Sequence, residues 1–419
     1  MPRLPGLVAT DHVFTVPLDH ALPDGPSIEV MAREVVAASK TNSELPWLVY
    51  LQGGPGGPSP RPTGASGWIE RATRDYRVLL LDQRGTGRST PVTTRTAKSM
   101  PPSELASYLR HFRADSIVRD LELIRAQLNS GKRWSTLGTS YGGFITLTYL
   151  SLAPEGLASC YITGGLPGLE TTAEEVYRRT YPRVKAKVTA FYERYPDDVG
   201  RVHRIAEHLR DNDVRLPDGD RLTVQRFQTL GMGLGMGTHE HSLHWALDEA
   251  WDGTELSRKF LYQAMNDTTF HSPIYAVLHE SIYAQDKRPT AWAAGRELPA
   301  EFAPDATPLL FTGEMIYPWM LDFSGLREFA EAANLLASYD DWTPLYDVDR
   351  LAANQVPVAT AIWHDDMYVD AELSLRTAAR VGNLTPWITN EWQHDGGTAS
   401  GGSVLDRLIS LAADLPPIT

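Results

Sequence analysis

Between Trp134 and Leu152 a short strand, a six-residue turn and an apolar helix follow one another without a linker. Gly138-Thr139-Ser140-Tyr141-Gly142-Gly143 forms the turn, and Phe144 to Leu152 the helix. A strand that passes straight into a helix through such a turn belongs to a βα unit of a parallel sheet, with Ser140 lifted above the strand end. The residues two positions from the serine must be small, and Gly138 and Gly142 meet that demand.

The rest of the chain is consistent with that unit. His12 to Leu18 and Ile28 to Val36 read as two strands around an Asp24-Gly25 turn. Trp47 to Leu51 and Tyr76 to Leu81 are short apolar runs, each ending in a glycine-bearing turn, as buried parallel strands do. Ile117, Val118, Leu121, Ile124 and Leu128 keep helical spacing, with Gly131 placed to end the helix. Ser159 to Thr163 is a further strand. Strand signals return only at Val356 to Trp363 and Trp387 to Asn390, before a last helix at Val404 to Leu411. The expected architecture is α/β: a mostly parallel sheet with helices on both faces, interrupted by a large helical cap. Residues 1–165 and 348–419 form the core, and 166–347 the cap.

A serine needs a base and an orienting acid to become a nucleophile. In this architecture they follow it in the order acid, then histidine, on loops after later strands. His394 is the one histidine after His364, and it lies in a polar loop just past the last strand. His364-Asp365-Asp366 follows the preceding strand, and spacing alone leaves both aspartates open. Two backbone N–H groups must hold the oxyanion. Tyr141 supplies one, and the loop Gln52-Gly53-Gly54-Pro55-Gly56-Gly57 the other, with Gly54 the candidate.

Gly53-Gly54-Pro55-Gly56, Asp82-Gln83-Arg84-Gly85-Thr86-Gly87-Arg88-Ser89 and the Ser140 turn together resemble the prolyl aminopeptidases (proline iminopeptidases) of the α/β-hydrolase fold. The resemblance continues at Val356-Pro357-Val358. Asp366 lies eight residues past Val358 and 28 before His394, and this counting favours Asp366 over Asp365. It implies a serine exopeptidase that releases N-terminal proline from small peptides. Such an enzyme must bind a free ammonium, for which buried carboxylates are suited. Glu280, in His279-Glu280-Ser281-Ile282-Tyr283, resembles a cap glutamate that serves this purpose. Glu314, set among apolar residues, is a second candidate, and Tyr283, Tyr317 and Trp319 offer an apolar slot for the pyrrolidine ring. The family usually has histidine before Gly-Gly-Pro-Gly. This chain has Gln52, whose amide can still donate a hydrogen bond.

The remaining signals narrow the function class. A net charge of −13 disfavours nucleic acid and anionic membranes as partners. No apolar run approaches the roughly 18 residues of a transmembrane helix, and no secretory signal is visible, so a cytoplasmic location is expected. Cys160 is the single cysteine and reads as a small buried residue. His239, His241 and His244 miss the H-E-x-x-H pattern, and Gly231, Gly233, Gly235 and Gly237 miss that of a dinucleotide site, so neither metal nor cofactor is expected. Asp82 and Arg84 are expected to pair and shape their loop. Oligomeric state is not legible. Two other functions compete: a broader aminopeptidase or esterase on the same fold, and a non-catalytic ligand-binding relative. An intact Ser, Asp, His order disfavours the latter.

Overall fold

The computed structural model describes residues 3–285 and 287–413 of the 419-residue chain. Its strands, in chain order, are β1 (Arg3–Leu4), β2 (Leu7–Pro17), β3 (Ser27–Ala37), β4 (Trp47–Leu51), β5 (Arg77–Leu81), β6 (Trp134–Thr139), β7 (Leu157–Thr163), β8 (Trp251–Asp252), β9 (Glu255–Leu256), β10 (Val358–Trp363) and β11 (Leu384–Thr389). Strands β8 and β9 form a small separate hairpin. The other nine make one sheet in the order β1-β2-β3-β5-β4-β6-β7-β10-β11. From β5 to β11 every pairing is parallel, and β1 to β3 add an antiparallel edge.

The antiparallel edge is longer than the sequence pattern suggests. β2 and β3 pair over eleven residues each, because the ladder continues outward past the alternating apolar positions to Leu7 and Ala37. Asp24-Gly25 does form the turn, closed by the Gly25 N–H on the Leu22 carbonyl at 2.8 Å. The inner parallel strands β4, β5, β6 and β10 are buried on both faces, as their near-continuous apolar runs require, whereas β11 at the sheet edge is half-exposed.

Register decides where function gathers. Leu51 of β4 stands beside Gly138, Thr139 beside Thr163 of β7, and Ala361 of β10 also beside Thr163. Trp363 pairs with Thr389 of β11. The loops after β4, β6, β7, β10 and β11 therefore emerge along one edge of the sheet, the carboxyl edge where open α/β sheets bind ligands.

Between β7 and β10 the chain is mainly helical, with long helices at Ala173–Arg194, Asp197–Asp211, His239–Asp248 and Arg258–Thr268. Their buried residues form one cluster with Phe191, Phe227 and Phe311 inside it. Val92, Leu105, Leu109 and Phe112, from the stretch before the β6 turn, join that cluster too. No helix among the described residues is long and apolar enough to cross a membrane.

Candidate active site

Ser140 adopts φ 54°, ψ −124°, a conformation that L-residues avoid and that surrounding contacts must enforce. Its N–H donates to the Thr163 carbonyl at 2.9 Å, and its carbonyl accepts from the Gly143 N–H at 2.7 Å. The glycines make this possible by close approach. A Cβ on Gly142 would fall 1.9 Å from the Leu51 carbonyl oxygen, and one on Gly138 would fall 2.4 Å from the Gly142 oxygen. The helix accordingly begins at Tyr141, three residues before Phe144, because Gly142 and Gly143 belong to its first turn.

The Tyr141 N–H, first in that helix, has no protein acceptor among the described residues, so it is available to developing negative charge. The loop after β4 passes over the serine: a Cβ on Gly53 would lie 3.0 Å from Ser140 Cβ and 3.7 Å from its Oγ. Gly54 follows at φ 119°, a conformation suited to glycine. The Gln83 side-chain amide donates to the Gln52 carbonyl at 2.9 Å and ties this loop to the next one.

Burial and bonding separate the two aspartates. Asp365 is exposed and bonded to His364 Nδ1 at 2.7 Å and to Asn390 Nδ2 at 2.6 Å. Asp366 is buried, and its Oδ2 lies 2.7 Å from His394 Nδ1. Its Oδ1 accepts from the N–H groups of Tyr368 at 2.8 Å and Val369 at 3.2 Å, which fixes the carboxylate plane. Burial presses the His394 pKa down. The Asp366 charge and hydrogen bond, with weaker help from Glu314 and Asp395, outweigh burial and leave it raised. A Cβ on Gly164, just past β7, would fall 3.2 Å from His394 Nδ1. Ser140 and His394 thus both border the end of β7, at Thr163 and Gly164 respectively.

Cap segments hold the histidine loop. The His394 N–H donates to the Gly235 carbonyl at 3.0 Å, and the Gly237 N–H donates to Asp395 Oδ1 at 3.1 Å. The Tyr368 hydroxyl donates to the Met232 carbonyl at 2.6 Å, and Lys187 Nζ to Gln393 Oε1 at 2.7 Å. A Cβ on Gly235 would lie 2.5 Å from the Tyr368 ring, so the segment needs its glycine there. The glycine-alternating run holds the site through its backbone, a role that composition does not announce.

Both cap glutamates border the same buried region. Glu280 is buried, and its oxygens accept from the N–H groups of Ala293 at 3.0 Å and Ala294 at 2.9 Å. Desolvation dominates those two bonds and raises its pKa to about 7. Glu314 is half-buried and accepts from the Tyr275 hydroxyl. The hydroxyls of Tyr177 and Tyr283 feel both carboxylates, and burial with those charges keeps them protonated. Tyr317 Oη lies 3.0 Å from the Tyr181 hydroxyl, which also donates to the Ala294 carbonyl. Trp319 stacks on Tyr317 but lines an outer cleft with Arg215 and Arg327. Two further groups were not singled out from the sequence. His279 is fully buried with both ring nitrogens unpaired among the described residues, and the Tyr177 hydroxyl is unpaired too. These unsatisfied buried polar atoms near the two acids leave hydrogen-bonding capacity that water or a polar ligand can take up.

Asp82 and Arg84 do not pair with each other. Asp82 takes Arg61 and Ser59, whereas Arg84 takes Asp120 at 2.7 and 2.5 Å and the Leu18 and His111 carbonyls. Arg84 already lies in the turn that follows β5, so the extended alternation that would put residues 82 and 84 on one face does not reach it, and each finds a separate partner. The three cap histidines are also engaged separately: His239 with the Leu230 carbonyl, His241 with the Tyr195 hydroxyl and His244 with Asp198.

Residues 46–280 match the alpha/beta hydrolase fold family. A proline iminopeptidase of Aeromonas sobria is 47% identical over 417 residues, covering 98% of each chain. The proline iminopeptidase aneH of Aspergillus aculeatus is 34% identical over 417 residues, covering 96% of this chain and 93% of that one.

Proposed function

This chain belongs to the proline iminopeptidase family of the α/β-hydrolase fold, serine exopeptidases acting on N-terminal proline, and we propose that Ser140, His394 and Asp366 carry its chemistry. His394 Nε2 takes the Ser140 proton as the hydroxyl attacks the proline carbonyl, while Asp366 holds Nδ1–H and stabilises the imidazolium. The N–H groups of Tyr141 and Gly54 receive the oxyanion. The imidazolium then protonates the leaving amine, and water attacks the acyl-enzyme by the same route in reverse.

Residues 166–347 act as a cap that selects for a free N-terminus. Among the described residues Glu280 accepts from backbone amides and feels Arg296 only weakly, so a substrate ammonium supplies the close positive partner that its burial makes favourable. Glu314 contributes a second charge across Tyr177 and Tyr283. A cytoplasmic location is part of the same reading.

The observation that carries this reading is the buried Asp366–His394 contact of 2.7 Å, gathered at the end of β7 with a serine held at φ 54°. Treatment with a fluorophosphonate, followed by peptide mass mapping, tests it. The adduct is expected on Ser140, in step with loss of proline amide hydrolysis. An adduct elsewhere, or activity that survives full labelling of Ser140, contradicts it.

A further inference from the structure

Outside the buried region lies an open cleft of ≈ 340 Å³ of water-accessible space. Its walls include Gly57, Pro58, Met232, Phe270, Tyr275 and Met320. Gly57 and Pro58 continue the loop that passes over Ser140, and the Gly56 backbone packs directly on residues 274 and 275. Tyr275 is the wall between cleft and interior. Phe270, in the cleft, stacks on its ring at 5.8 Å, and the fully buried His279 stacks on it at 5.5 Å. Its hydroxyl meets Glu314.

We propose that this cleft receives the side chain of the residue that follows the N-terminal proline, and that it favours a long apolar side chain over glycine or an acidic one. The inference rests on the reading above, in which the ammonium lies with Glu280 and Glu314 on the inner side of Tyr275. With the carbonyl at Ser140, the leaving half of the peptide must then run outward past the Gly54–Gly57 loop. The cleft adjoining that loop is mostly apolar and large enough for one bulky side chain. Asp267 also lines it and is exposed, which places a negative charge near an incoming acidic residue.

Release of proline from Pro-Gly, Pro-Leu, Pro-Phe and Pro-Asp amides tests this, with kcat/KM as the readout. The Pro-Leu and Pro-Phe amides should exceed the Pro-Gly amide by about tenfold or more, since a filled apolar pocket discriminates on that scale. Ser272→Trp, which fills the cleft from a residue with no side-chain capping bond, should bring the Leu/Gly ratio to within about twofold of unity. Asp267→Lys, on an exposed position, should raise Pro-Asp relative to Pro-Leu by about threefold or more at low salt. Equal kcat/KM for the Gly, Leu and Phe substrates, or a ratio unmoved by either variant, overturns the cleft assignment while proline release stands. Failure to cleave any of the four overturns the functional reading, and this inference with it.

Discussion

Asp366→Asn removes one charge and keeps the shape of the side chain. The carboxylate is 1% exposed and the His394 side chain 6% exposed, so water screens their interaction little. Oδ1 is already engaged by the N–H groups of Tyr368 and Val369, so asparagine retains its oxygen there. Its NH₂ then faces His394 Nδ1, and two donors meet. The ring escapes by taking the tautomer protonated on Nε2, which cannot accept the Ser140 proton. The same change in the serine protease triad costs about 10⁴ in kcat, or about 5.5 kcal/mol at 1.36 kcal/mol per decade. A second effect has a definite sign. Activity is expected to rise with pH as His394 loses its proton, and Asp366 is what outweighs the lowering by burial. Without Asp366 the acid limb must move to lower pH, even as the plateau falls. Asp365→Asn, on an exposed side chain bonded to His364 and Asn390, should stay within about threefold of wild type and leave the limb in place. Hydrolysis of proline p-nitroanilide from pH 4 to 9 measures both quantities. A larger loss for Asp365→Asn, or an acid limb that moves upward in Asp366→Asn, refutes the reasoning.

Glu280→Gln should lower kcat/KM for proline amides by the equivalent of about 2–5 kcal/mol, as loss of one partner in a buried ion pair does, while hydrolysis of a small neutral ester changes little; equal losses on both substrates would move the ammonium elsewhere. Because the Glu280 pKa is raised from 4.5 to about 7, the folded protein keeps a proton that the unfolded chain releases, so stability falls as pH rises through that window. The contribution of this group approaches about 3 kcal/mol, and denaturant unfolding at pH 4 and 8 should show the slope flatten in Glu280→Gln. Gly235→Ala places a methyl 2.5 Å from the Tyr368 ring and should cost about 1–3 kcal/mol with a lower kcat, read by thermal unfolding and by the rate of phosphonate labelling. EDTA should leave the rate unchanged; loss that zinc restores would implicate the cap histidines.

Local signals carried much of the core. The strand, turn and helix around Ser140 obey short-range sterics, and the order of Ser140, acid and His394 follows from the parallel connections, so both were legible in the residues. The choice between Asp365 and Asp366 was not a local matter. Adjacent residues leave a strand end in opposite directions, so the residues themselves left both open; the count along the family resemblance favoured Asp366, and packing turns that side chain inward. The Asp82–Arg84 pairing failed for the same reason, since each reaches a partner far along the chain. Glu280 was singled out through its resemblance, but its bonds to the Ala293 and Ala294 N–H groups depend on how the cap folds back. Gly231 to Gly237 and His279 left no interpretable signal. The former acts through backbone carbonyls and N–H groups, and the latter through the absence of a bonding partner, and neither property is written in residue type.

The central claim is that Ser140 attacks an amide only when the proline nitrogen is a free ammonium received by the cap. Hydrolysis of proline p-nitroanilide and its N-acetyl derivative, by wild type and by Ser140→Ala, tests both halves at once. Wild type should cleave the free substrate and fail on the acetylated one, and Ser140→Ala should lose about 10⁴-fold or more on the free substrate while remaining folded. Comparable cleavage of the acetylated substrate, or activity retained in Ser140→Ala, would contradict the account.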